Sequence, residues 1–196
     1  SGLVWEYHLD GNFNDSSWRW NHGAPASGIT YIDWPVGQAM SVTSGQNGWI
    51  NYWADSWLDI NTGSFTLSAW FKSPDNTGQL INNYDFAAAW GYGTELNFVR
   101  HCWDWTCTTT NFLYSDVFDP NKYYSYITTY DWVDLKIYLD WIPIIPSSIS
   151  GGPNGLDTSW RTSMSVAWYL FEWQVDQLRI YNRALSASEV RLLFKE

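Results

Sequence analysis

Hydrophobic and polar residues alternate along most of this chain. The alternation is clearest in Ser64–Lys72, Tyr123–Tyr130 and Gln174–Tyr181. Since successive side chains of a strand point to opposite faces, this pattern predicts β-strands with a buried face. The predicted strands are Leu3–Leu9, Ile29–Ile32, Gln38–Val42, Gly48–Tyr52, Ser64–Lys72, Gln79–Asn83, Thr94–Arg100, Thr108–Ser115, Tyr123–Tyr130, Leu135–Leu139, Ser163–Ala167 and Gln174–Tyr181. Many short strands joined by short turns predict an all-β fold, a two-sheet antiparallel sandwich.

One helix is predicted near the C-terminus. Ser186 precedes Glu189 by three residues, which is the spacing of a capping box. Val190, Leu192 and Leu193 follow and supply an apolar side. No linker rich in Pro or Ser divides the chain, so residues 1–196 are predicted to form a single domain.

Composition narrows the classes of partner. The net charge is −10, which disfavours nucleic acid or an anionic membrane as a partner. No apolar run of about 20 residues is present, so no membrane insertion is predicted. A signal peptide is not recognisable at the start, although Ser1-Gly2 leaves open a signal removed by processing.

Tryptophan is unusually frequent and occurs at turns. Sixteen of the 196 residues are Trp. The segment YDWVDLKIYLDWIP has a strand between two turns, and in each turn Asp is followed by Trp, at Trp132 and Trp141. Gly is expected at such positions, because the backbone of a tight turn often needs a positive φ.

Five segments carry a resemblance to a known family. They are LVWEYHLDGNFNDSSWRWNHG, GITYIDWPVGQAMSV, WLDINTGSFTLSAWFK, YDWVDLKIYLDW and VDQLRIYNRALSASEV. Together they resemble the concanavalin A-like, laminin-G-like jelly-roll domains of secreted and surface proteins. The resemblance spans almost the whole chain, and it implies a jelly-roll sandwich with a short C-terminal helix.

The departures from the family pattern are all of one kind, the replacement of Gly by Trp. Trp stands where the family has Gly at Trp18, Trp20, Trp34, Trp132 and Trp141, and also at Trp173. Trp103 and Trp105 also fall where a tight turn favours Gly. In contrast, Trp70 matches a core Trp of the family.

Three interpretations of these Trp residues compete. The rings could be platforms on which sugars stack, or they could fold back on the domain as ordinary packing. Alternatively, these positions are Gly in the natural protein: some genetic codes read TGA as Gly and others as Trp, so the wrong table would convert selected Gly to Trp. The third interpretation is favoured, because a bulky residue at positive φ costs about 1–3 kcal/mol and a domain's net stability is only about 5–15 kcal/mol.

The loop Asp10–Ser16 is rich in the oxygen ligands that Ca²⁺ prefers. The family resemblance implies a structural Ca²⁺ near this loop, completed by the Asp of the closing strand and by carbonyl groups near Asn21-His22. The predicted metal ligands are Asp10, Asn12, Asp15, Asn21 and Asp176. The alternative is that the loop forms only Asx-turns.

Cys102 and Cys107 enclose a four-residue turn. A disulfide across this turn is predicted, and it would suit an oxidising, extracellular location. Two reduced thiols are the alternative.

The sequence lacks the motifs of the common enzyme classes. Glucanases on this type of sandwich carry their carboxylates as E-x-D-x-x-E in one strand, and no such motif occurs. Glu172 and Asp176 are neighbours, but their spacing sets them well apart along a strand. His8, His22 and His101 lack the spacing of a zinc site.

We therefore expect a non-catalytic module that binds carbohydrate or another surface protein, on an exported or cell-surface protein. Aromatic residues that could stack on a sugar are Tyr84, Trp90, Tyr92 and Tyr114. The alternatives are a structural spacer or protein-interaction domain of a larger surface protein and, less favoured, a glycoside hydrolase.

Overall fold

The structure, a computed structural model, describes residues 2–25, 28–42, 50–51, 64–74, 78–82, 86–92, 95–100, 110–114, 119–131, 133–150, 165–168 and 172–195. Within them the strands are β1 (Leu3–Tyr7), β2 (Ala24–Pro25), β3 (Ile29–Asp33), β4 (Gln38–Val42), β5 (Ile50–Asn51), β6 (Phe65–Lys72), β7 (Gly78–Asn82), β8 (Phe86–Tyr92), β9 (Glu95–Arg100), β10 (Thr110–Tyr114), β11 (Tyr124–Tyr130), β12 (Leu135–Leu139), β13 (Ile142–Ile144), β14 (Ser148–Ser150), β15 (Ser165–Trp168) and β16 (Trp173–Tyr181). The helix is α1 (Ala187–Leu193).

Two antiparallel sheets make up the fold. The larger has eight strands in the order β13-β12-β11-β6-β16-β4-β3, with β1 also paired to β16. The smaller has six strands in the order β14-β10-β9-β8-β7-β15. The strands β2 and β5 pair separately. The predicted antiparallel sandwich is confirmed.

A single hydrophobic core joins the two sheets. Alternate residues of β6, from Phe65 to Phe71, are buried in it, together with Trp173 of β16. The smaller sheet contributes Leu80 and Tyr114. The period of two in the sequence therefore marks the faces that meet between the sheets.

The helix covers part of the outer face of the larger sheet. Val190 and Leu185 pack there against Ile127 and Tyr138 in a second cluster. The buried hydroxyl of Thr66 donates a hydrogen bond to the carbonyl of Arg183 and accepts one from the N–H of Leu185, both at 2.9 Å. These contacts fix the helix to β6.

The predicted capping box is confirmed. The hydroxyl of Ser186 accepts a hydrogen bond from the N–H of Glu189 at 3.4 Å. In return the carboxylate of Glu189 accepts one from the N–H of Ser186 at 2.9 Å. These bonds satisfy donors that the first turn of a helix leaves unpaired.

Candidate functional site

One edge of β16 is shared by two strands, and the junction lies at Asp176. Residues Trp173–Val175 pair with β4, whereas Leu178–Tyr181 pair with β1. Between them Gln177 has a φ of 49°, and the pairing of β16 with β6 shifts register after Asp176. The ladder to β4 and β1 is therefore interrupted at this point, where the chain places a carboxylate.

Asp10 reaches the same junction from the loop after β1. Leu9, just before it, has a φ of 59°. The carboxylate of Asp10 accepts a hydrogen bond of 2.5 Å from the N–H of Gln38 at the start of β4. Gly37 makes room for this contact, since a Cβ there would lie 2.2 Å from the Oδ1 atom of Asp10.

Asp176 is a buried carboxylate with little compensation. The residue is only 1% exposed to solvent. Within the described part of the chain, its one hydrogen bond comes from the N–H of Gln177, at 2.8 Å. Burial raises its pKa to about 7, and the negative charge of Asp10 adds to the rise, whereas that N–H and the positive charge of Arg179 oppose it. The charge of Asp10 therefore acts on Asp176 across this junction.

Asp15, a predicted metal ligand in the loop after β1, accepts several hydrogen bonds. Its carboxylate accepts hydrogen bonds from the N–H of Glu6, the N–H and hydroxyl of Ser17, and the N–H of Asn21, at 2.8–3.0 Å. Both oxygens thus organise the loop that follows β1. Asn21 belongs to this loop network, because its side chain donates to the carbonyl of Val4.

Asn12 closes a local turn. Its side-chain oxygen accepts a hydrogen bond from the N–H of Asn14, and its amide donates to the carbonyl of Asp10. This is the Asx-turn that the sequence left open as an alternative. Of the five predicted ligands, Asp10 and Asp176 lie at the β16 junction, while Asn12, Asp15 and Asn21 hold the loop.

The donor chemistry at the junction fits calcium better than zinc. The described residues contain no group of three or more His, Cys, Asp and Glu side chains able to hold a metal ion. Ca²⁺ takes about six to eight oxygens and accepts carbonyls, amides and water as well as carboxylates. Asp10 and Asp176 would be its charged ligands.

Three of the Trp residues singled out from the sequence have positive φ. The values are 67° at Trp18, 61° at Trp20 and 62° at Trp141. All three side chains are exposed, Trp18 by 88%. Trp18 and Trp20 line a cavity of about 280 Å³ beside His22.

Two other Trp residues behave as ordinary packing residues. Trp34 has no positive φ, and its ring meets that of Tyr123 edge-on at a centroid distance of 4.5 Å. Trp173 is fully buried and packs on Phe71 at 5.2 Å. Trp132 and the pair Trp103 and Trp105 lie outside the described residues.

The residues predicted to contact a sugar lie in different parts of the structure. Tyr114 is 1% exposed and belongs to the core, so its assignment to a sugar-binding surface is corrected. Its burial also raises the pKa of its hydroxyl. Trp90 and Tyr92 lie on β8, where Trp90 pairs with Gln79 and with Asn97. Tyr84, Cys102 and Cys107 lie outside the described residues.

A further pocket lies on the outer face of the larger sheet and was not predicted. It encloses about 260 Å³ between Trp70, Tyr123 and Phe194, and Asp176 is part of its lining. Trp70 precedes an inward-facing residue of β6, and strand alternation therefore places it outward. The sequence does not show that Phe194 and Tyr123 converge on the same place.

These features define the fold class of the protein. Two antiparallel sheets around one core, with a short helix on the outer face, form a jelly-roll β-sandwich. Residues 44–191 match the family model Laminin_G_3, described as the concanavalin A-like lectin/glucanases superfamily. The chain belongs to this family.

Solved structures share the fold at low sequence identity. The binding domain of Paraclostridial Mosquitocidal Protein 1 has a TM-score of 0.76 and 17% identity, over 98% of this chain and 52% of that chain. The binding domain of botulinum neurotoxin DC in complex with SialylT has a TM-score of 0.75 and 11% identity, over 100% and 51%. The same domain with rat synaptotagmin II has 0.73 and 12%, over 99% and 51%.

This chain therefore spans about half the length of each of these binding domains. A search of curated proteins gave no match. Among the residues that the structure describes, no helix has the length and hydrophobicity needed to cross a membrane.

Proposed function

We propose that this chain is a non-catalytic carbohydrate-binding or adhesion module of an exported or cell-surface protein. The observation that carries the proposal is the match of nearly the whole chain to toxin binding domains, one of them solved with SialylT. Another similar structure comes from botulinum neurotoxin type C, whose cell entry depends on interaction with two ganglioside molecules. Membership of a lectin/glucanase superfamily supports the same class of ligand.

The described carboxylates support a role without catalysis. Glycosidases need two carboxyl groups that both reach the scissile bond. Glu6 forms an ion pair with Arg179 at 2.8 Å, and Glu189 forms one with Arg183 at 2.6 Å. Asp176 is 1% exposed, and it is the one carboxylate in the lining of the outer pocket, so no second carboxylate lines that pocket among the described residues.

A protein-interaction or spacer role is the second candidate. It is favoured by the similarity to a toxin binding domain in complex with rat synaptotagmin II, a protein partner. The predicted disulfide between Cys102 and Cys107 would suit an exported protein under either role.

A glycan array with the purified domain, in calcium and in EDTA, tests the leading proposal. We expect saturable binding to a subset of glycans. If no glycan is retained under either condition while the domain stays folded, the carbohydrate function is wrong. The spacer or protein-interaction role would then take its place.

We also infer that Asp10 and Asp176 hold a structural Ca²⁺. A buried carboxylate next to a second acidic group is unfavourable unless a cation compensates it. The cation would join β1 and β4 to β16 at the junction where the strand ladder is interrupted. Its contribution would be to stability and to the shape of the neighbouring surface.

We further infer that Trp18, Trp20 and Trp141 are Gly in the natural protein. The support is that each has a positive φ, which Gly adopts without strain, and that each side chain is exposed. Trp132 remains a prediction, and Trp34, which has no positive φ, is a prediction without this support. The coding DNA decides the matter: TGA at these positions supports the inference, and TGG contradicts it. Of these indoles only Trp34 borders the ligand site proposed below, and that proposal does not depend on it.

A further inference from the structure

We propose that the pocket on the outer face of the larger sheet is a saccharide site that takes one pyranose ring. The inference rests on the proposed carbohydrate-binding function and locates the binding site for that function. That place is the cavity of about 260 Å³ bordered by Trp70, Tyr123 and Phe194. It lies on the face that carries the helix, away from the core between the sheets.

The aromatic walls come from separate elements that hold them in position. Phe194, just after α1, stacks on Trp70 of β6, with ring centroids 5.5 Å apart and planes at 26°. Tyr123, just before β11, receives the ammonium group of Lys72 4.9 Å from its ring centroid. Because the rings are ordered by contacts within the domain, a ligand would lose little free energy in ordering them.

The lining has the chemistry of a sugar site. Aromatic faces suit the apolar C–H face of a pyranose, and Gln177 and Lys195 place polar side chains at the same pocket. The volume of about 260 Å³ lies just below the range of small-molecule sites, which are typically about 300–1,000 Å³. It therefore suits one ring rather than a buried oligosaccharide.

Charge argues against the main alternative, an organic cation. Aromatic cages do bind cations. However, Lys195 lines this pocket, and the ammonium group of Lys72 already occupies a position over Tyr123. These two ammonium groups outnumber Asp176, the carboxylate in the lining, so the pocket offers a cation no net negative charge. A neutral polyol can accept hydrogen bonds from the ammonium groups and donate one to the carboxylate.

Trp34 also borders the pocket, through its contact with Tyr123. The proposal does not depend on this indole. If Trp34 is Gly in the natural protein, the pocket is wider on that side and keeps the walls formed by Trp70, Tyr123 and Phe194.

The test uses methyl β-D-glucopyranoside, methyl β-D-galactopyranoside and methyl α-D-mannopyranoside as probes in an NMR titration of the whole domain. We expect at least one of them to shift the indole N–H signal of Trp70 saturably. Tyr123→Ala removes a wall that is 37% exposed and should weaken this binding by about tenfold. Trp18→Gly removes an exposed indole outside the pocket and should leave the affinity unchanged.

The outcomes separate the site from the function. If the glycan array is positive but Tyr123→Ala binds as well as the wild-type, this location is wrong and the carbohydrate function stands. If neither the array nor the pyranosides give binding, both are wrong. Should Tyr123→Ala fail to fold, Phe194→Ala at the end of the helix removes the opposite wall, and unchanged binding by that variant overturns the proposal equally.

Discussion

Asp10 and Asp176 come from opposite ends of the chain, and the charge of Asp10 acts on Asp176 where β1 and β4 share the edge of β16. The first is held by the N–H of Gln38, and the second is buried. Under the calcium proposal, a divalent cation at this interrupted ladder would offset the cost of the two carboxylates.

Calcium is expected to stabilise the wild-type domain through this pair. At a calcium concentration about 100 times the Kd, binding adds about 2.7 kcal/mol, which corresponds to a rise in Tm of about 5–10 °C for a chain of this size. Asp176→Asn should abolish the rise, because it removes a charged ligand. Thermal unfolding in calcium and in EDTA measures both.

The exposed carboxylate of Asp134, which is paired loosely with Lys136 at 3.5 Å, provides the matched control. Asp134→Asn should keep the full calcium response. In EDTA, Asp176→Asn should be no less stable than the wild-type, since it removes a buried charge. An equal calcium response in Asp176→Asn and wild-type would show that the ion, if bound, lies elsewhere.

Gly37→Ala should destabilise the domain by about 1–3 kcal/mol in urea unfolding. Gly37 has a φ of 73°, and the added Cβ would displace the carboxylate of Asp10. The same variant should also lose the calcium response. Val36→Ala, which changes an exposed residue of the same turn, should have little effect on either measurement; a similar loss in both variants would contradict this account.

Trp18→Gly and Trp20→Gly should each stabilise the domain by about 1 kcal/mol. Relief of the positive-φ strain exceeds the entropy that Gly adds to the unfolded chain. Urea unfolding measures the gain. Val133→Gly is the control, because Val133 is 86% exposed and has no positive φ, so it should be neutral or destabilising. Destabilisation by both Trp replacements would indicate that the indoles contribute real packing.

Acid should remove the contribution of the ion pair between Glu189 and Arg183. The hydrogen bonds from Arg183, and then those from Ser186, lower the pKa of Glu189 from its ordinary value of 4.5 to about 2. A folded-state pKa below the unfolded value gives stability that is complete above about pH 4.5 and is lost as the pH falls towards 2.

Glu189→Gln lacks this contribution. Its Tm should therefore lie below that of the wild-type at neutral pH and should converge with it between about pH 4.5 and 2. High salt should narrow the neutral-pH difference, because the pair is at the surface. A difference that is constant across this range would assign the effect to the helix cap alone.

Most of the larger sheet could be predicted from alternation. The predicted bounds of Gln38–Val42 and Leu135–Leu139 match β4 and β12 without change. The strand β8 was missed, because FAAAWGY has no alternation and is rich in Ala and Gly, which are uncommon in strands. The strand β13 was missed because Pro143 interrupts it, a residue that sheets accept mainly at their edges.

The site was only half predictable. The Asp and Asn residues identified the loop after β1 as a possible ion site. The sequence does not show which of these carboxylates will accept hydrogen bonds from backbone N–H groups. The structure assigns that role to Asp15 and leaves Asp10 for the junction. Tyr114 was misassigned because a single strand pattern does not show which face is inward. The outer pocket depends on contacts between distant elements, such as Trp70 with Phe194.

The pairing of β1 with β16 has a mechanical consequence. Leu3 pairs with Tyr181, and the carbonyl of Gly2 accepts a hydrogen bond from the N–H of Asn182 at 2.9 Å, so both strands meet at one end of their ladder. Tension applied between residues 2 and 182 would load these hydrogen bonds one after another instead of sharing the load among them. Under this load β1 would separate from β16 at a small force, one hydrogen bond at a time. An ion between Asp10 and Asp176 would resist further separation beyond the far end of β1.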